Sequence, residues 1–177
     1  GLGCMLYQTQ YNSPIGKILL VSNEQYLIGL WIEGQKYFAN TIKNQEIKYE
    51  LTPVLKEITI WLDNYFQGKN PNLKTLPLLP NGSEFQKNVW DILCTIPYGK
   101  TMTYGEIANL LSKKKHGKVS AQAVGNAVGH NPISIIIPCH RVVGKDGNLT
   151  GYAGGIDKKI KLLKLEGLEM EQFYVPK

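Results

Sequence analysis

TYGEIANLLSKKKHGKVSAQAVGNAV, residues 103–128, reads as two short helices joined by a polar turn. Thr103 and Glu106 form a capping box, in which a hydroxyl and a carboxylate three residues apart each satisfy a backbone N–H at a helix start. They predict a first helix with Ile107, Leu110 and Leu111 inside, followed by a polar loop from Ser112 to Lys118. Ser120 predicts the cap of a second helix over 121–128, lined with the small residues Ala121, Ala123, Gly125 and Ala127. This is the layout of a helix-turn-helix, whose second helix enters a groove of DNA. An ordinary helical hairpin shares the outline, so the pattern alone leaves both open.

Working outward, Ser83 and Gln86 predict another capping box, and Phe85, Val89, Ile92, Leu93 and Ile96 form a helical stripe that Pro97 terminates. The three prolines between Pro71 and Gly82 predict a linker over 71–82. This divides the chain into a small α/β domain at 1–82 and a second domain at 83–177. In the first, aliphatic and aromatic runs at 6–11, 17–21 and 26–32, separated by Asn12-Ser13-Pro14 and Ser22-Asn23-Glu24, predict an antiparallel meander. Thr52 as cap, Pro53 behind it, and Leu55, Ile58, Leu62 and Tyr65 at helical spacing predict a covering helix that stops at Gly68. A last helix is expected over 157–166, ending at Gly167.

The 177 residues are 43% hydrophobic and 19% charged, ordinary for a globular protein, and no apolar run is long enough to span a membrane. The net charge of +6 is uneven: residues 1–82 carry 7 lysines against 6 acids, whereas residues 83–177 carry 12 lysines and Arg141 against 8 acids. A basic second half suits a polyanionic partner such as nucleic acid. Cys4, Cys94 and Cys139 are too few and too scattered for a disulfide framework or a zinc motif, which suits a reducing, cytoplasmic setting. Gly1 to Cys4 precede Met5 and carry no weight.

The chemistry concentrates in NPISIIIPCHRVV, residues 131–143. An apolar run, expected as a buried strand, delivers Pro138 and then Cys139 beside His140 and Arg141. A neighbouring imidazole and cation are what draw a thiol towards thiolate, so Cys139 is a candidate nucleophile. The plain alternative is a core cysteine, against which stands the cost of burying His140 and Arg141 without purpose.

Pro138-Cys139-His140-Arg141-Val142-Val143, preceded by Asn131-Pro132 and followed by Gly151-Tyr152-Ala153-Gly154-Gly155, resembles the active-site region of the O6-alkylguanine-DNA alkyltransferases. Tyr104, Ala123-Val124-Gly125 and Leu165-Glu166-Gly167 occur in the family's order, so the match runs from Phe85 to Gly167. The resemblance implies a ribonuclease-H-like α/β first domain followed by a mainly α-helical, winged helix-turn-helix-like second domain. It also implies a monomeric, cytoplasmic repair protein that flips O6-alkylguanine, with O4-alkylthymine as a further candidate lesion, out of double-stranded DNA and moves the alkyl group irreversibly onto Cys139.

In that scheme His140 polarises the thiol through a water, Glu166 orients His140, and Asn131 holds the loop beside the nucleophile. Tyr104 donates to the base and helps rotate the phosphate. The Cys139 and Val142 backbone, Tyr152 and Ala153 line the pocket. Ser120, Ala121 and Gly125 let the second helix approach the minor groove, where readout is nearly sequence-blind. Arg141 falls in the same DNA-facing set, although a structural role fits it better. Many family members carry a stacking arginine where this chain has Gln122, which predicts weaker duplex affinity with the chemistry intact. No metal, zinc or other cofactor is expected. The run Lys113, Lys114, Lys115 and Lys118 is either a solvated surface or a phosphate contact. Two other classes remain in view: a helix-turn-helix regulator, for which Cys139 would be dispensable, and a cysteine hydrolase, which would turn over many times.

Overall fold

The computed structural model describes residues 5–115 and 117–176, so the reading attached to Gly1 to Cys4 lies outside the described residues, as does residue 116 of the loop expected from Ser112 to Lys118. The chain divides into two compact units. The first runs to Asn81 and takes in Pro132–Ser134; the second comprises Gly82–Asn131 and the chain from Ile135 onward.

In the first unit, strands β1 (Leu6–Ser13), β2 (Gly16–Ser22) and β3 (Leu27–Ile32) form the antiparallel meander, and β4 (Ile47–Tyr49) adds a parallel edge beside β1. The sheet order is β3-β2-β1-β4. Side chains alternate between its faces. Leu6, Val21 and Trp31 pack with Ile42 on one side, while helix α1 (Pro53–Phe66) packs against β1, β2 and β3 and buries Leu55, Ile58 and Leu62 completely. Thr52 Oγ1 caps α1 by accepting from Leu55 N at 3.2 Å.

The proline-rich stretch expected as a linker is tied to the sheet: Leu27 N donates to Pro77 O at 2.7 Å and Leu79 N to Leu27 O at 2.8 Å. Pro132–Ser134 joins β3 in the same way, with Leu30 N donating to Pro132 O at 2.8 Å and Ser134 N to Leu30 O at 3.0 Å. An edge strand leaves unpaired backbone groups, and these segments satisfy them.

The second unit is built from α2 (Glu84–Leu93), the short strand β5 (Met102–Thr103), α3 (Tyr104–Lys115), α4 (Ala121–Gly129), β6 (Val142–Val143) and α5 (Ile156–Leu165). Both capping boxes form: Ser83 with Gln86 opens α2, and Thr103 with Glu106 opens α3. The buried Trp90 indole of α2 donates to Ala127 O of α4 at 2.9 Å, fixing that pair.

Three expectations fail here. α3 continues through Lys115 where a polar loop from Ser112 was expected, because lysines are good helix formers; Ser112 Oγ donates to Ala108 O at 2.8 Å within the helix. Ala108 takes the inward position on that helix, and Leu110 is 40% exposed. The apolar run before Pro138 is buried as expected but forms turns, since Ile135 holds φ at +72°. A β-branched residue in the left-handed region cannot continue a strand.

Candidate active site

β5 and β6 pair in parallel, Met102 with Val142 and Thr103 with Val143. This two-residue ladder sets the start of α3, Tyr104, beside the chain leaving Cys139. Cys139, His140 and Arg141 form one 3-10 turn in which all three side chains are buried. Asn131, just past the C-terminus of α4, donates from Nδ2 to Ile137 O at 2.8 Å and thereby braces the approach to the turn.

Glu166 caps the C-terminus of α5 and Gly167 follows at φ +86°, the left-handed geometry that ends many helices. The carboxylate turns inward. His140 Nε2 donates to Oε2 at 2.6 Å, Arg141 Nε to Oε1 at 2.8 Å, Arg141 Nη2 to Oε2 at 3.2 Å and Gly99 N to Oε1 at 2.9 Å. Arg141 Nη1 also donates to Ile96 O at 2.7 Å. A carboxylate left alone in this interior would be pushed up by burial, but His140 and then Arg141 more than reverse that and hold Glu166 at about 2. With Arg141 paired in this way, the carboxylate stays ionised whether or not His140 carries a proton.

Burial lowers His140 and the Glu166 carboxylate only partly opposes it, so the imidazole is neutral near pH 7. A carboxylate only accepts, so Nε2 carries the hydrogen and Nδ1 is the basic nitrogen. Glu166 thereby fixes the tautomer of the histidine adjacent to the thiol.

Cys139 is 3% exposed. Burial pushes its thiol up, while Asn131, the Lys159 ammonium, its own backbone N–H and the Tyr152 hydroxyl each pull it down. The buried Tyr152 hydroxyl acts across a gap, outside good hydrogen-bond geometry. Cys94 lacks this set: burial and then Asp91 push it up to about 11, and Arg141 alone opposes them. Tyr104 rests its hydroxyl on Thr150 O and Gly151 O at 3.3 and 3.2 Å. Burial, and then the charge of Cys139, raise it to about 12, so it remains a proton-bearing donor at neutral pH.

The structure thus brings Cys139, His140, Glu166, Asn131, Tyr104, Val142 and Tyr152 into one neighbourhood. Gly125 lies against the Tyr104 ring, where a Cβ would stand 3.7 Å from Cδ1. Ser120, Ala121 and Gln122 form the exposed first turn of α4, with Ser120 Oγ accepting from Ala123 N at 3.0 Å. Ala153 is half-buried in the loop before α5. Arg141 points inward onto Glu166, away from the DNA-facing role in which it was grouped. Reasoning from sequence passed over Lys159, wholly buried on α5 with Nζ donating to Val142 O at 2.5 Å. Its place on the Ile156, Lys159, Leu162, Leu163 stripe was the available signal. Among the described residues no cluster of three or more metal-ligating side chains occurs, and no helix is long and apolar enough to cross a membrane.

Residues 6–80 match the 6-O-methylguanine DNA methyltransferase ribonuclease-like domain, and residues 84–168 match the DNA binding domain of the same name. A methylated-DNA–protein-cysteine methyltransferase of Methanosarcina barkeri is 46% identical over 165 residues, covering 91% of this chain and 97% of that protein. One from Haemophilus influenzae is 40% identical over 161 residues, covering 91% and 86%. The crystal structure of Mycobacterium tuberculosis OGT in complex with DNA superposes with a TM-score of 0.78 at 36% identity, covering 94% of each chain.

Proposed function

The chain belongs to the 6-O-methylguanine DNA methyltransferase family, and from that premise we propose that it repairs DNA by direct reversal, moving the alkyl group of O6-alkylguanine onto its own Cys139 once per molecule. The observation that carries the reading is the buried thiol flanked by a histidine whose tautomer Glu166 sets, within a unit matched to a DNA-binding domain.

The base must leave the stack before a buried sulfur can reach it. The basic His140 Nδ1 takes the thiol proton, through a bridging water because adjacent side chains point apart. The thiolate attacks the alkyl carbon, the S–C bond forms as the C–O6 bond breaks, and the electron pair departs with the guanine. Tyr104 supplies a proton or hydrogen bond to the departing base. Asn131 keeps the loop in place, while the Cys139 and Val142 backbone, Tyr152 and Ala153 enclose the base. The small side chains of α4 allow close approach in the minor groove. The product thioether cannot leave, so one protein removes one lesion and a monomer suffices. A free nucleophilic thiol suits a reducing compartment such as the cytoplasm.

Titrating a duplex that carries one O6-methylguanine with increasing protein, and counting surviving lesions, tests this. Loss of one lesion per protein molecule supports the proposal. Catalytic excess would indicate a turning-over enzyme, and binding without lesion loss would leave a DNA-binding protein only.

A further inference from the structure

Lys159 is completely buried on α5. Its Nζ donates to Val142 O at 2.5 Å, the carbonyl just beyond the Cys139–Arg141 turn, and stands 6.0 Å from the centre of the Tyr152 ring. Among the described residues no carboxylate pairs with it, since Glu166 is engaged by His140 and Arg141. Removing an ammonium from water is costly, and a carbonyl dipole and a ring face do not supply a full opposing charge. The ionisable group whose charge acts on Lys159 is the Cys139 thiol, which burial holds above its ordinary value, so its thiolate needs a compensating charge to form.

We propose that Lys159 is the counter-charge of the Cys139 thiolate, a positioning residue anchored on the Val142 carbonyl so that its ammonium compensates the sulfur's charge in a water-poor site. The coupling runs in both directions: burial pulls Lys159 down to about 8 while Cys139 holds it up, and Lys159 in turn pulls the thiol down. The other groups around the pair do not replace it. Tyr152 and Tyr104 are held in the phenol form, Asn131 carries no charge, His140 is neutral near pH 7, and Arg141 is committed to Glu166. The inference deepens the transfer reading: as the S–C bond forms, negative charge leaves with the guanine, the sulfur becomes a neutral thioether, and Lys159 loses its counter-charge.

The test separates ionisation from transfer. Thiolate absorbance near 240 nm is titrated against pH as the difference between the protein and its Cys139→Ala variant, in Lys159, Lys159→Met and Lys159→Arg backgrounds. The Lys159→Met midpoint should rise by about one pH unit or more, a tenfold loss of thiolate at neutral pH, with Lys159→Arg restoring much of it. Should Lys159→Met fail to fold, the Lys159 13Cε titration decides alone: Cys139→Ala should lower its midpoint, because coupling between two sites is reciprocal. Unchanged midpoints in either comparison overturn the proposal. If both midpoints move but no alkyl group is transferred from duplex DNA, the repair reading fails and the counter-charge stands.

Discussion

Glu166 accepts from His140, Arg141 and Gly99, so its charge belongs to a network of three elements. Its carboxyl lies at about 2 against an ordinary 4.5. A depressed carboxyl contributes stability that is complete above pH 4.5 and lost as pH falls towards 2. Glu166→Gln should therefore cost roughly 3–5 kcal/mol at pH 7, because it leaves a buried guanidinium without its counter-ion, and should flatten the acid limb of stability against pH. Urea unfolding across pH 2–7 checks both. The cluster Cys139-His140-Arg141 was legible because the three residues stand together in sequence, although the 3-10 turn that they form was not. The pairing of His140 with Glu166, 26 residues apart, came from the family pattern, since no periodicity links them. Lys159 escaped notice because a lysine in a lysine-rich helix reads as surface.

At the level of elements, capping chemistry was the most readable signal: Thr52, Ser83, Thr103 and Ser120 each stand at the helix start that their side chains predict. Residues 133–138 were misread because isoleucines favour strands, whereas Ile135 at φ +72° obeys the turn that surrounds it. Nothing in composition announces such a residue; its strain is sustained by the buried packing around it. The packing of α4 on Tyr104 gives a graded prediction. Gly125→Ala places a Cβ 3.7 Å from the ring, an ordinary contact, and should change stability by less than about 1 kcal/mol. Gly125→Leu must displace the ring, costing about 1–3 kcal/mol and slowing alkyl transfer at least tenfold. Single-turnover rates measured alongside unfolding curves distinguish the two substitutions.

For the whole molecule, the excess of lysine in residues 83–177 favours association with a polyanion, yet the exposed first turn of α4 presents the neutral Gln122. Gln122→Arg should tighten duplex binding and steepen its salt dependence by close to one counter-ion, a slope change of about 0.9, while leaving the transfer step itself unchanged. Binding isotherms at several salt concentrations read this directly. The two-part organisation was legible from turn-rich sequence near residue 80, but the attachment of Pro132–Ser134 to the first unit was not, because parallel bridges between distant segments leave no local pattern. Direct-reversal repair by this protein requires Cys139 to be a single-use acceptor. Intact-mass spectrometry after incubation with excess duplex carrying one O6-methylguanine, with peptide mapping and a Cys139→Ser control, tests it most directly. The predicted result is a gain of one methyl group, located on Cys139 and absent from the control. An unmodified protein, or a methyl group on another residue, would contradict it.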